Sequence, residues 1–193
     1  GGVAARLISF MSMAMRGRKG GLGAALIGSS GVFGAISGTA TAAVASIGTI
    51  MGDPLAARGY PRGYTSALLG VSSLLGILIP PSITLILFGV VTRQSITALF
   101  AATIVPGLLL MFGLMLFNKI VTARMLIDTP ERMAAISAQK SPHGPLRATL
   151  QALPALMMPV VILGGIYGGV FTPTEAAAVA LFLAREVMAV LSR

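Results

Sequence analysis

Two apolar runs of this chain are interrupted near their middle by small polar residues or proline, at Ser37-Gly38-Thr39 and at Pro80-Pro81-Ser82. Backbone that leaves a helix inside a bilayer needs hydrogen-bond partners from protein, water or a bound solute, because lipid offers none. Paired interruptions are typical of carriers whose solute site lies halfway across the membrane, between broken helices. The pattern therefore predicts a helical membrane fold and favours a transport site at the interruptions.

The composition supports a membrane protein and excludes several other classes. Hydrophobic residues make up 55% of 193 residues and charged residues only 10%, whereas a soluble domain carries about 25% charged residues. A net charge of +9 could indicate nucleic-acid binding, but no basic stretch is interleaved with aromatic residues, so no nucleic-acid partner is expected. With no cysteine and one histidine, His143, the sequence has no disulfide framework and no thiolate or histidine metal cluster.

Five apolar runs follow an N-terminal arm, residues 1–19, which is predicted to be an interfacial helix or the tail of a span. The runs cover residues 20–51, 64–91, 96–120, 150–170 and 174–191. As one helix, the first run would be about 48 Å long, well over a hydrocarbon core of about 30 Å. It must therefore tilt steeply or enter and return. Asp53-Pro54, after this run, predicts a turn.

The distribution of positive charge decides between these two paths. Basic residues cluster at residues 16–19, 58–62 and 119–147, whereas Arg93 stands alone between the second and third runs. A single crossing would put the first two clusters on opposite faces, against the positive-inside tendency. A hairpin that turns at its middle puts all three clusters in the cytoplasm. We therefore predict a re-entrant helical hairpin over residues 20–52.

The predicted fold class is all-α, a polytopic membrane protein with a re-entrant hairpin and a broken transmembrane helix. A first transport region, residues 20–121, contains the hairpin, the broken helix at residues 64–91 and a span at residues 96–120. A cytoplasmic loop follows at residues 122–149, and residues 150–193 begin a further membrane region.

Helix N-termini at mid-depth expose N–H groups that attract anions, and helix C-termini expose carbonyls that coordinate cations such as Na⁺. The hairpin tip supplies the hydroxyls of Ser37 and Thr39 around the flexible Gly38. Ser82 is a natural N-cap for the half-helix that follows the prolines. Together with Pro81, these residues form the predicted substrate-binding site.

The cation site is predicted on the broken helix itself. Pro80 and Pro81 remove two N–H donors, so the carbonyls of about Gly76 to Ile79 lose their helical partners. Serine hydroxyls about two turns earlier on the same element add further oxygen ligands. The predicted Na⁺ ligands, mostly backbone carbonyls, are Ser72, Ser73, Gly76, Ile79 and Pro80.

Several of these motifs also have a structural explanation. Either interruption alone is equally explained by packing, because Gly and Pro are common in membrane helices. Residues 28–31, Gly-Ser-Ser-Gly, lack the lysine of a phosphate loop and favour close helix packing. Thr172 and Glu175 predict a capped helix start. An enzyme is not expected, because Arg185 and Glu186 are the only ionisable residues at predicted membrane depth and have no catalytic constellation nearby.

A set of short motifs occurs in the order known from one family. The motifs are Gly20-Gly21-Leu22, Phe33-Gly34-Ala35-Ile36-Ser37-Gly38-Thr39, Gly59-Tyr60-Pro61, Ile79-Pro80-Pro81-Ser82, Pro106-Gly107 and the string from Gly164 to Ala177. Over about residues 20–180 they resemble the large membrane subunit, often called DctM-like, of tripartite ATP-independent periplasmic (TRAP) transporters. The last string, with Gly-Gly-Ile-Tyr-Gly-Gly-Val-Phe-Thr-Pro-Thr-Glu, is highly specific.

The resemblance implies a permease of the bacterial inner membrane that takes up a small organic acid, such as a C4-dicarboxylate or sialic acid, with a Na⁺ gradient. It implies a periplasmic binding protein and a small DctQ-like membrane subunit as partners, and no organic cofactor. Subunits of this family are elevator-type carriers with inverted repeats, each holding a hairpin and a broken helix. Ser37-Gly38-Thr39 matches the first hairpin tip, and Pro80-Pro81-Ser82 matches the first broken helix.

Two departures from the family pattern affect this expectation. The family subunit is considerably longer, and a second hairpin and second broken helix are absent here. In addition, Arg185-Glu186 falls in the middle of what should be an apolar span. We therefore expect residues 150–193 to be the start of a truncated second repeat, with sequence altered after about residue 183, before Arg185-Glu186. A non-transporting membrane scaffold or anchor subunit, or an inactive truncated carrier, remains the alternative function.

Overall fold

The computed structural model describes residues 2–15, 17–125, 127 and 145–172, together with residues 175, 178, 179 and 182. Within these residues the regular structure is entirely α-helical. The helices are α1 (Gly2–Ala14), α2 (Gly21–Ser37), α3 (Ala40–Ala57), α4 (Arg62–Ser73), α5 (Leu75–Leu78), α6 (Ile83–Thr92), α7 (Ile96–Arg124) and α8 (Pro145–Tyr167). The predicted all-α, polytopic fold class is confirmed.

Helices α2 and α3 form a hairpin whose tip is residues 37–39. Gly38 ends α2 in the left-handed conformation, with φ 67°, and its N–H donates to the carbonyl of Gly34 at 2.6 Å. Glycine adopts this conformation without the steric cost of a Cβ atom. After α3, the hydroxyl of Tyr60 accepts from the N–H of Gly23 at 3.4 Å. The chain therefore returns from the tip to the level at which α2 begins.

The second interrupted run is a broken helix, as predicted. Residues Arg62–Leu78, which comprise α4 and α5, and residues Ile83–Thr92 of α6 are bent by 46° at a break over residues 79–82. Together they are long and apolar enough to count as one candidate span, and α3 and α7 each qualify alone. Pro80 and Pro81 explain the break, because neither has an N–H to continue the helix.

Helix α2 lies at the centre of the fold and packs against α1, α3, α4, α5, α7 and α8. Leu26 of α2, Ile47 and Leu55 of α3, and Leu75 of α5 are fully buried in one core cluster. By contrast, α7 exposes a row of large apolar side chains, among them Leu109 at 68% exposure. A fully apolar exposed face of this length is suited to lipid or to another membrane helix.

The turn predicted at Asp53-Pro54 is wrong, because α3 continues through both residues to Ala57. Pro54 only removes the N–H that would have bonded to the carbonyl one turn earlier. The final turn is closed instead by the N–H of Arg58, which bonds to the carbonyls of Pro54 and Leu55. Burial of Leu55 in the core offsets the lost hydrogen bond.

The N-terminal arm forms α1, which packs along α2 in the opposite direction. The carbonyl of Met15 lies beside Gly21, and the sulfur of Met11 lies beside Gly28, further along α2. The predictions for the loop around His143 and for Arg185-Glu186 concern residues outside the described part of the chain.

The predicted capped helix start at Thr172 and Glu175 is confirmed. A Glu175 carboxylate oxygen accepts from the Thr172 N–H at 2.7 Å and from its hydroxyl at 3.0 Å, while the Glu175 N–H donates back to that hydroxyl at 3.3 Å. This reciprocal pair is a capping box. The backbone hydrogen bond from Thr172 is the main reason that the pKa of Glu175 is lowered.

Candidate functional site

The two interruptions of the sequence meet in space. The carbonyl oxygen of Gly38, at the hairpin tip, accepts a hydrogen bond from the N–H of Ile83 at 3.3 Å. A Cβ atom placed on Gly38 would lie 3.1 Å from the Ile83 nitrogen and 3.3 Å from the Pro81 oxygen. The hairpin tip therefore touches the break directly, backbone against backbone.

A second close approach lies one turn below the tip. A Cβ atom on Gly34 of α2 would overlap the backbone of Gly76 of α5. A Cβ atom on Gly76 would lie 3.0 Å from the carbonyl oxygen of Thr39 and 3.1 Å from the Gly34 Cα. The absence of a side chain at both positions lets the two helices approach this closely. The ends of four helices consequently converge: the C-termini of α2 and α5 and the N-termini of α3 and α6.

The two C-terminal ends present carbonyl oxygens. Because Pro80 and Pro81 cannot donate, no hydrogen bond within the described part of the chain reaches the carbonyls of Gly76 and Ile77. The partial negative charge of a helix C-terminus adds to these oxygens. This side of the site suits a cation.

The two N-terminal ends present amide groups. Thr39 and Ser82 are the N-cap residues of α3 and α6, both extended, and neither side chain makes a capping hydrogen bond. Ser82 thus occupies the predicted N-cap position without performing the predicted cap. Free N–H groups at a helix N-terminus suit an anion such as a carboxylate.

The structure places the predicted site residues in two groups. Gly38, Thr39, Gly76, Pro81 and Ser82 lie at the junction of tip and break. The hydroxyl of Ser37 stays within the turn, where it accepts from the Thr39 N–H at 3.4 Å and lies 3.3 Å from the Thr39 carbonyl.

The remaining predicted residues lie on the broken helix. Ile79 and the buried Pro80 are part of the break. Ser72 and Ser73 lie on the last turn of α4, one turn before Gly76. Ser73 donates to the carbonyl of Gly70 at 2.7 Å, whereas the buried hydroxyls of Ser72 and Ser82 have no partner among the described residues. A buried hydroxyl without a partner is costly, which makes these two oxygens available to a bound ion or water.

None of the junction residues named above carries an ionisable side chain. The described residues contain no group of three or more His, Cys, Asp or Glu side chains that could hold a metal ion. Ca²⁺ and Mg²⁺ sites depend on carboxylates, so a site of neutral carbonyl and hydroxyl oxygens fits a monovalent hard cation better.

Sequence reasoning missed a second polar cluster, at the opposite end of the hairpin. The side chain of Asn118 on α7 is fully buried and bonds to both Gly20 and Tyr64. A lone asparagine in an apolar run was the available signal. The sequence also predicts only close packing for residues 28–31, whereas the buried hydroxyls of Ser29 and Ser30 have no hydrogen-bond partner in the described part of the chain.

The fold and the meeting interruptions define a polytopic helical membrane protein built around a hairpin and a broken helix. The family model described as "Tripartite ATP-independent periplasmic transporter, DctM component" matches residues 1–193, and the chain belongs to this family. The resemblance seen in the motifs is thereby confirmed, and it places the protein in the bacterial inner membrane.

Curated relatives carry several substrate names. The chain is 41% identical over 180 residues to the C4-dicarboxylate TRAP transporter large permease protein DctM of Pseudomonas aeruginosa, covering 93% of this chain and 40% of the relative. It is 38% identical over 181 residues to the ectoine/5-hydroxyectoine large permease protein UehC of Ruegeria pomeroyi, covering 94% and 41%. It is 33% identical over 183 residues to the sialic acid permease protein SiaT of Haemophilus influenzae, covering 93% and 28%. The chain thus spans less than half the length of these relatives.

Proposed function

We propose that this chain is part of the membrane permease of a secondary transporter, which takes up a small organic acid together with Na⁺. The observation that carries the proposal is the junction at which the Gly38 carbonyl meets the Ile83 N–H. There, two helix C-termini and two helix N-termini converge without any ionised side chain among the described residues of the site. Such an arrangement serves a cation and an anion side by side.

Sodium is the cation that the available oxygens support. Among the described residues, the carbonyls of Gly76 and Ile77 have no hydrogen-bond partner, and neither do the buried hydroxyls of Ser72 and Ser82. Neutral oxygens can replace the hydration shell of Na⁺ without the carboxylates that a divalent ion requires.

A carboxylate is the substrate group that the helix N-termini support. The uncapped amides of α3 and α6 offer hydrogen-bond donors and partial positive charge, and Ser82 supplies a hydroxyl beside them. The C4-dicarboxylate and sialic acid names of the relatives agree with an organic acid. We extend the proposal to the partners that the family resemblance implies, a small membrane subunit and a periplasmic binding protein.

The test is uptake of radiolabelled succinate or sialic acid into proteoliposomes that contain the complete permease and its partner subunits. Uptake should require an inward Na⁺ gradient, and Ser82→Ala should reduce it about tenfold, as expected when one ligand of a bound ion is lost. Ser66→Ala is the matched control, because Ser66 lies exposed on α4. Uptake that does not depend on the Na⁺ gradient would exclude coupling to Na⁺. Assembly of the complex without uptake of any organic acid would favour the scaffold alternative.

A further inference from the structure

The hairpin base is held by a buried polar cluster, which we call the base cluster: Gly20, Gly23, Tyr60, Tyr64 and Asn118. The Asn118 side-chain nitrogen donates to the Gly20 carbonyl at 2.8 Å, and its oxygen accepts from the Tyr64 hydroxyl at 3.0 Å. One side chain of α7 therefore bonds to the start of α2 and to the start of α4 at once.

The packing around Asn118 leaves it little freedom. A methyl group on Gly23 would overlap the Asn118 amide, and one on Gly20 would lie 3.0 Å from the Asn118 nitrogen. Asn118 is fully buried, so releasing its hydrogen bonds would leave polar groups unpaired inside the protein. The base cluster is consequently a firm anchor between three helices.

The two helices anchored by Asn118 are the ones whose far ends build the candidate site. From the base, α2 rises for 17 residues to the hairpin tip, and α4 and α5 rise beside it to the break. Near the tip, Gly34 and Gly76 meet backbone to backbone, and the Leu75 and Ile79 side chains lie against Gly31 of α2, which has no side chain to interlock with them. A pair of glycines resists sliding less than interdigitated side chains do, so the relative height of the two helices depends on the base.

We propose that Asn118 is a positioning residue for the ion and substrate site: by bonding to Gly20 and Tyr64 together, it fixes the height of the hairpin tip relative to the break. This inference rests on the proposed function for its effect on transport. Its structural part, the registry between Gly38 and Ile83, is independent of what the site binds.

Three substitutions separate this role from a general loss of stability. Asn118→Leu keeps the branched outline of the side chain, at a larger volume, and removes both hydrogen bonds, while Tyr64→Phe removes only the bond to α4. Thr49→Val is the matched control, because the exposed Thr49 hydroxyl lies outside the base cluster and donates to the Ala45 carbonyl of its own helix, α3.

The first measurement is the Na⁺ concentration that gives half-maximal uptake in the complete reconstituted transporter. We expect it to rise about tenfold in Asn118→Leu and about threefold in Tyr64→Phe, with the maximal rate little changed, since coupling through a remote contact has this size. Thr49→Val should match the wild type. An unchanged half-saturation in Tyr64→Phe, the milder variant, would overturn the proposal even if Asn118→Leu failed to fold.

The second measurement is hydrogen exchange, by mass spectrometry, of the peptide that contains Ile83 in the purified permease. Weakening the base cluster should speed exchange of this amide, at the far end of the helices, relative to Thr49→Val. Equal exchange in all three variants would refute the positioning role whatever the transporter carries. Na⁺-independent uptake by the wild type would refute the proposed coupling to Na⁺ but not the positioning role of Asn118. The exchange data alone would then test that role.

Discussion

Gly38 and Ile83 are joined by a hydrogen bond of 3.3 Å between the carbonyl of one and the N–H of the other. Gly38 is the turning point of the hairpin, and Ile83 is the first residue of the half-helix after the break. The bond uses one free amide of α6 and leaves those of its next two residues for a ligand. It thereby makes the hairpin tip and the break into one site.

Gly34→Ala should destabilise the protein by about 1–3 kcal/mol, because the added methyl would overlap the backbone of Gly76, which cannot move aside. Gly70→Ala is the control, since a Cβ atom on Gly70 of α4 meets nothing within 4 Å. The measurement is the apparent melting temperature in detergent. Equal melting temperatures for the two variants would show that the Gly34–Gly76 contact is looser than described.

Pro81→Ala should weaken Na⁺ dependence. The new N–H can bond to the Ile77 carbonyl in a continued helix, which removes an oxygen from the cation side of the site. We expect the Na⁺ concentration for half-maximal uptake to rise about tenfold, equivalent to about 1.4 kcal/mol. Pro106→Ala, in the middle of α7 and exposed, is the control and should leave this value unchanged. The same Na⁺ dependence in both variants would argue against ion binding at the break.

Ser29→Ala should raise stability by about 1 kcal/mol, because it removes a buried hydroxyl that has no partner among the described residues. Ser82→Ala should give a similar gain in stability but reduce uptake about tenfold, because the Ser82 hydroxyl is a proposed ligand of the site. Melting temperature and uptake, measured together, check this divergence. Loss of stability in Ser29→Ala would indicate a water or other group that satisfies the hydroxyl.

The capping box at Thr172 and Glu175 should depend on pH. The pKa of the Glu175 carboxyl in the folded protein is lowered from its ordinary value of 4.5. The stabilisation that Glu175 contributes is therefore fully present above about pH 4.5 and is lost as the pH falls through the lower folded value. Glu175→Gln keeps an acceptor that does not titrate, so its melting temperature relative to wild type should rise as the solution becomes more acidic. A constant difference between pH 3 and pH 6 would contradict the assignment.

The sequence was sufficient to predict the helices and interruptions that form the site, but not the contacts between them. Ser37-Gly38-Thr39 and Pro80-Pro81 break helices through local chemistry, so hairpin and broken helix were both predictable. The bond from Ile83 to Gly38 was not, because it depends on how two helices are registered along each other. Composition and periodicity describe each helix separately.

Two misses show the same limit in physical terms. The local sequence Asp53-Pro54 predicts a turn, yet α3 continues beyond these residues because Leu55 is buried in the core. In the sequence, Asn118 is only a polar interruption of an apolar run. Its structural role depends on hydrogen bonds to Gly20 and Tyr64, which lie far away in the chain. In both cases tertiary packing, which a single sequence does not display, overrides the local signal.

The backbone contact between Gly34 and Gly76 has a consequence for how such a site can diversify. Spacings that are set by main chain persist whatever rotamers the surrounding side chains adopt. Side chains around the junction can then be exchanged to admit a bulkier or smaller solute while the spacing of the peptide oxygens stays constant. Under the proposed function, selectivity for the solute and coupling to Na⁺ can therefore change independently.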